Sequence, residues 1–224
     1  QTQPKYVSVL SEYLKVLNQR NNLLKQIKKN TNACETLCVW DIRLCELAGQ
    51  LTVMRRAFVN SILEYAIPLH QQLAGEELGI AYLSNSAPAD IKSQGDIAKY
   101  LLNELDKKRQ KDIDFGQSCI GAHRDDLSFT INGQESRLFA SQGQQRSIVL
   151  NLKMSLTEQI KEEFGEYPLL LLDDITSELD NKRRAFLKRN MGGKQVFITC
   201  TDKEKELYEN DIKFFHINSG HIIE

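Results

Sequence analysis

The stretch Leu169 to Asp180, LLLLDDITSELD, ends a short apolar run on two adjacent carboxylates. Open parallel sheets bind their ligands beyond the C-terminal ends of the strands, so a buried strand ending in Asp173 and Asp174 would present both acids at a ligand site. One of them, Asp173, can hold Mg²⁺ directly or through water. Its neighbour Asp174 can orient or deprotonate an attacking water. A bare Asp-Asp after an apolar run serves equally well as a strand stop and helix N-cap. The trailing Ser177, Glu178, Leu179 and Asp180 make the pattern more specific.

A second stretch, SQGQQR, covers Ser141 to Arg146. Ser141 is a good N-cap, and Gln144 three residues on completes a capping-box pattern. Gly143 removes a Cβ where another group must approach the backbone closely. Free N–H groups at a helix start, with the positive end of the helix dipole, attract anions. A well-capped helix explains these residues on their own. An Asp-Asp strand some 25 residues later, about the length of one helix and a turn, favours a phosphate site.

The other reactive side chains form no comparable pattern. Cys34, Cys38 and Cys45 fall near one helical face, but no histidine lies near them in sequence to complete a metal site. Cys119 and Cys200 stand alone, and His70, His123, His216 and His221 are scattered. An odd number of cysteines in a chain of 224 residues is expected to mean reduced thiols in a cytoplasmic protein.

These residues need elements to hold them. Val7, Leu10, Leu14, Leu17, Asn21 and Leu24 follow a three-four spacing, and Leu37, Trp40, Leu44, Leu47, Leu51, Met54 and Phe58 follow another. Two such seams joined by a polar turn read as an antiparallel helical hairpin, or equally as ordinary bundle helices of a globular domain, with Pro68 marking a break or kink in the second. Residues 84–95 read as a loop, and Ile97 to Lys111 as a further amphipathic helix. From about Asp114 the periodicity shifts. Leu127 to Ile131 alternates like a strand, Asn132-Gly133 marks a hairpin turn, and Ser136 to Phe139 is the expected return strand. Ile148, Leu152, Leu156 and Ile160 mark a helix. Leu169 to Leu172 predicts a strand buried on both faces, a helix follows near Asn181 to Asn190, and Val196 to Thr199 is another strand. Phe214 to Ile217 and His221 to Ile223 close the chain as two more. The expected fold class is α plus α/β, with a helical arm over 1–112 and an α/β lobe over 113–224.

Composition sets outer bounds. The net charge of -1 excludes a uniformly basic nucleic-acid coat, though not local patches. Hydrophobic content of 41% with 26% charged residues is an ordinary globular balance. No apolar run approaches the roughly 18 to 20 residues needed to cross a bilayer. The chain begins at Gln1 rather than Met, so it is expected to be a processed or partial sequence.

Taken together, GAHRDDL at 121–127, FASQGQQR at 139–146, LLLLDDITSELD at 169–180 and QVFITCTD at 195–202 resemble ABC-type ATPases, and most closely the RecF family, relatives of SMC and Rad50. VWDIRL at 39–44 and the closing FFHINSGHIIE are similar to that family's helical domain and last strands. The resemblance implies that Ser141, Gln142, Gly143 and Gln144 form the signature loop, which contacts ATP held by the other subunit of an ATP-dependent homodimer. It implies Asp173 as the Mg²⁺-associated Walker B aspartate, Asp174 in the catalytic-base position and Asp180 as the D-loop aspartate acting across the dimer. It further implies DNA binding at single-strand gaps, partnership with RecO and RecR, and RecA loading.

The departures are as informative. No Walker A loop, G-x-x-x-x-G-K-[ST], occurs in these residues, and Thr199-Cys200-Thr201-Asp202 stands where many ABC proteins carry a switch histidine. The chain is therefore expected to be the C-terminal portion of a RecF-like protein and not to hydrolyse ATP alone. Its candidate DNA-contacting groups are Arg20, Lys25, Lys28 and Lys29, and separately Lys182, Arg183, Arg184, Lys188 and Arg189. The rival readings are a non-catalytic helical interaction module related to SMC-type ATPases and a transporter ATPase subunit. Ile175, where transporters usually carry proline, speaks against the last.

Overall fold

Apolar side chains at helical spacing build the first elements, and a buried charge decides which face they turn inward. The computed structural model describes residues 3–27, 36–173, 181–200 and 213–223. Its Cα positions form two compact units, Gln1–Glu64 with Glu77–Phe139, and Tyr65–Glu76 with Ala140–Glu224. The change of sequence character near residue 113 and this division by packing are different boundaries.

In the first unit, α1 (Pro4–Ile27) packs along the early part of α2 (Leu37–Ala74). Contacts from Arg43 to Glu12, from Arg20 to Asp41 and from Arg55 to Tyr6 run in opposite senses along the two helices, the register of an antiparallel pair. The α1 stripe facing the core keeps only the later part of the expected seam. Leu17 and Leu24 are buried, but Val7 and Leu14 are 51% and 45% exposed, and Val9, Tyr13, Val16, Arg20 and Ile27 are buried beside them. The helix is rotated because Arg20 and Tyr13 have buried polar partners to reach. Asn21 lies on the same helix and points to a loop. Its Oδ1 accepts from the Ser118 backbone N–H and hydroxyl, each at 2.8 Å, and so ties down a loop distant in sequence.

The α2 seam largely holds: Leu37, Leu44, Leu47, Leu51 and Ile62 are buried, while Phe58 is exposed and Val59 takes its place. Pro68 does not break α2. It removes one intrahelical donor, but the turns around it bury Ala66, His70 and Leu73, and that packing carries the helix past it.

The rest of this unit comprises β1 (Leu78–Leu83), α3 (Gln94–Lys107), α4 (Arg109–Phe115), β2 (Asp126–Ile131), β3 (Gln134–Glu135) and α5 (Ser136–Phe139). The strand β1 was not expected. It pairs antiparallel with β2 along its whole length, Leu78 opposite Ile131 and Leu83 opposite Asp126. Gly79 belongs there because a Cβ would lie 2.3 Å from Thr130 Oγ1 on the facing strand. The hairpin turn at Asn132-Gly133 forms, with φ of +49° and +79°. The return strand stops after two residues, and Ser136–Phe139 is a helical turn instead, with Arg137 paired to Asp126. Residues 84–93 are tethered by Arg56, whose guanidinium donates to the carbonyls of Ala87, Pro88 and Ile91.

The second unit contains α6 (Gln142–Phe164), β4 (Leu170–Asp173), α7 (Asn181–Asn190), β5 (Val196–Thr199), β6 (His216–Asn218) and β7 (His221–Ile223). Strands β4 and β5 are parallel, Leu170 opposite Val196 and Asp173 opposite Thr199. One core joins Leu73 from α2, Leu150 and Met154 from α6, Leu170 and Leu172 from β4, and Phe186 and Leu187 from α7. Strand β4 is buried on one face rather than both. Leu171 is 62% exposed, and Leu169 and Phe197 also face outward, because the described residues cover one side of a two-stranded sheet. Among the described residues no helix is long and apolar enough to cross a membrane, and no cluster of His, Cys, Asp and Glu could hold a metal ion.

Candidate signature and Walker B site

The N-terminus of α6 is set by local chemistry. Ser141 takes an extended backbone, φ −62° and ψ 160°, and its hydroxyl accepts from the Gln144 N–H at 3.2 Å. The Gln144 Oε1 accepts from the Ser141 N–H at 2.8 Å, so the expected capping box is complete. The Ser141 hydroxyl is thus an acceptor within the helix, and its own proton has no acceptor among the described residues. Ser141 and Gln142 are exposed, and Gly143 and Gln144 half-buried.

Two more elements brace this turn. The Gln144 Nε2 donates to Glu76 Oε1 at 2.7 Å, just beyond the end of α2. From α7, Arg183 Nε donates to Ser147 Oγ at 2.6 Å, and Ser147 donates to the Gly143 carbonyl at 2.9 Å. A Cβ built on Gly143 would meet the Arg183 guanidinium at 3.6 Å, an ordinary contact. Nothing among the described residues of this unit therefore demands glycine at that position.

Asp173 ends β4, exposed, and accepts a hydrogen bond from the Thr199 hydroxyl of the neighbouring strand β5. This anchors one carboxylate oxygen and leaves lone pairs for a cation. Strand β4 and helix α6 share one core through Leu150, Met154, Leu170 and Leu172, so the two motifs are carried by one packed body. Asp174 and Asp180 lie outside the described residues, as do Cys34, Lys28 and Lys29.

The basic candidates divide. Arg20 is completely buried and cannot meet DNA, which corrects the expectation for it. Arg183 braces Ser147, and Lys182 reaches the Ala74 carbonyl at 3.4 Å. Lys25, Lys188 and Arg189 are exposed.

His123, half-buried, and Arg124, exposed, lie in the first unit and tie down the segment at Ser118. Ser118 O lies 3.1 Å from His123 Nε2 and accepts its proton, leaving Nδ1 to accept from the Tyr13 hydroxyl at 2.7 Å. Arg124 donates to the same Ser118 carbonyl. Burial lowers the His123 pKa more than the Ser118 hydrogen bond raises it. Burial likewise depresses that of His70, against the opposing pull of Glu76. Each histidine therefore binds its proton less readily folded than unfolded, where its pKa is 6.5. From that pH down to the lowered folded value the unfolded chain binds more protons, so stability falls as pH falls, by up to about 1.4 kcal/mol per pH unit for each histidine. Denaturant midpoints between pH 7.5 and 5.5 should show this, and His123→Gln should flatten the slope relative to wild type.

No family model matches the chain. It is 41% identical over 212 residues to the DNA replication and repair protein RecF of Acetivibrio thermocellus, covering 94% of this chain and 57% of that protein. The RecF of Lachnoclostridium phytofermentans is 43% identical over 202 residues, covering 89% of this chain and 53% of that protein. A solved structure of the recombination mediator protein RecF with ATPrS, in the RecFOR pathway, superposes with a TM-score of 0.87 at 32% identity, covering 99% of this chain and 59% of that one. The corresponding RecF-ATP structure gives 0.81 at 32% identity, covering 90% and 54%. The chain spans a little over half the length of these relatives, and it belongs to the RecF family of DNA replication and repair proteins.

Proposed function

We propose that the intact protein is an ATP-gated DNA-binding protein of recombinational repair and replication, and that this chain supplies the signature loop and the Walker B strand of its ATPase head. The observation that carries this reading is the exposed, fully capped start of α6, whose Ser141 hydroxyl keeps its proton, on the same core as a strand ending in Asp173. Such a helix start suits a phosphate. Ser141, Gln142, Gly143 and Gln144 are assigned to the ATP of the opposite subunit, and Asp173 to Mg²⁺, which would neutralise phosphate charge when bound. Asp174 holds the position of the base that orients water, and Asp180 that of a contact across the dimer.

The family's names support the further assignments. The printed names of the relatives, a DNA replication and repair protein and a member of the RecFOR pathway, support DNA as ligand and RecO and RecR as partners. Single-strand gaps, RecA loading and a cytoplasmic location are assigned on the resemblance alone. The chain has no Walker A loop, so turnover belongs to the intact protein. Sedimentation velocity of that protein should give a monomer without nucleotide and a dimer with ATP and Mg²⁺. A monomer under both conditions would overturn the proposal.

A further inference from the structure

The signature helix is held from one side by a carboxylate that has a second, unused neighbour. Gln144 has both ends of its amide engaged: Oε1 on the Ser141 N–H, Nε2 on Glu76 Oε1 at 2.7 Å. Glu76 follows Gly75, whose φ of +73° turns the chain out of α2. The other carboxylate oxygen, Oε2, is buried and lacks a hydrogen-bond partner among the described residues. It faces His70 Nε2 at 3.7 Å. His70 is fully buried, and neither of its ring nitrogens has a hydrogen-bond partner there either.

Two buried polar groups that face each other unbonded are unusual, because each forfeits water without a replacement. A shift of about 0.7 Å would bring the pair to hydrogen-bond length. Among the described residues, the other charges at this place come from α7: Arg183, braced on Ser147, and Lys182, on the Ala74 carbonyl. Arg183 opposes a charged His70, and Glu76 favours it. Nothing in this arrangement is needed to cap α6, since Ser141 and Gln144 do that alone.

We infer that Glu76 is a positioning residue for the signature loop, acting through Gln144, with His70 as the competing partner for its carboxylate. While Glu76 holds Nε2, the Gln144 amide cannot turn over, so Oε1 stays on the Ser141 N–H and the Ser141 hydroxyl stays in register. When Glu76 turns to His70, Gln144 loses its outer anchor and the loop its fixed geometry. This rests on the proposed role of the loop in ATP-driven dimerisation.

The test uses the intact protein, with sedimentation against protein concentration at saturating ATP and Mg²⁺, and a separate titration of monomer with a fluorescent ATP analogue. Glu76→Ala should raise the concentration for half-dimerisation about ten-fold, with monomer nucleotide binding unchanged. Glu76→Gln, whose amide oxygen can still accept from Gln144, should recover most of that loss. Gln144→Ala should lose as much as Glu76→Ala, and the double variant no more than either. His70→Phe should dimerise at a lower concentration than wild type. Should Glu76→Ala not fold, Glu76→Asp decides the same question, because it keeps the charge but withdraws it from Gln144. Wild-type dimerisation by Glu76→Ala, or losses that multiply in the double variant, overturns the positioning role, and weaker dimerisation by His70→Phe removes the competition. A wild-type protein that never dimerises with ATP overturns the proposed function itself, and this role with it.

Discussion

Replacing Arg20 by methionine should cost about 3 to 5 kcal/mol of stability, the range for removing one partner from a buried charge pair. The guanidinium is completely buried. Its Nε donates to Asp41 at 2.6 Å, and its Nη1 donates to Asp112 and to Ser118, each at 2.7 Å. These partners come from α2, α4 and the loop after α4, so one side chain on α1 joins three segments of the first unit. Burial works against the charge, but Asp41 and Asp112 outweigh it and hold the guanidinium even more firmly protonated than usual. Methionine keeps much of the volume and none of the charge. The loss then measures two buried carboxylates left without their main counter-ion, Asp41 keeping Arg109 at 3.6 Å and Asp112 the Cys119 N–H, rather than a cavity. Lysine should fall between, because one ammonium cannot reproduce a fork with two acids. Denaturant unfolding followed by circular dichroism decides the matter. A methionine variant within about 0.5 kcal/mol of wild type, the size of an ordinary surface change, would show that the cluster contributes little.

That cluster also explains why the first unit was only partly legible. A three-four spacing on α1 fits more than one face, and apolar counting chose Val7 and Leu14, which are exposed. The face that packs includes an arginine, and no sequence rule assigns an arginine to a core before its partners 21 and 92 residues away are known. Strand β1 was hidden by Gly79, which weakens a strand on propensity but is required by Thr130 across the ladder. Local features were read directly. The capping box depends on residues three apart, Ser141 and Gln144, and it formed as expected. So did the turn at Asn132-Gly133 and the two strands that end at Asp173 and Thr199. The bond from Gln144 to Glu76 spans 68 residues and leaves no local signature. Long-range polar contacts need the fold before they can be named.

In the intact protein, Ser141→Asp should abolish ATP-driven dimerisation while leaving the fold and the monomer's nucleotide binding alone. Aspartate is as good an N-cap as serine, and a negative charge in the first turn suits the helix dipole. Ser141 is exposed, so the longer side chain meets no core. If this residue served only to cap α6, the variant would be neutral or slightly stabilising. If the helix start receives a phosphate from the opposite subunit, the same carboxylate replaces a hydroxyl donor with a like charge. Like charges facing across an interface cost several kcal/mol, so no dimer should form even at about 100-fold the wild-type half-dimerisation concentration. Ser141→Arg should block dimerisation too, but by bulk, and it forfeits the cap, worth about 1 kcal/mol. The two variants thus differ in helix stability and agree in assembly. Thermal melts separate the first effect and sedimentation with ATP and Mg²⁺ reads the second. Unchanged dimerisation by Ser141→Asp would sink the signature-loop assignment, because a structural cap is the one role that substitution preserves.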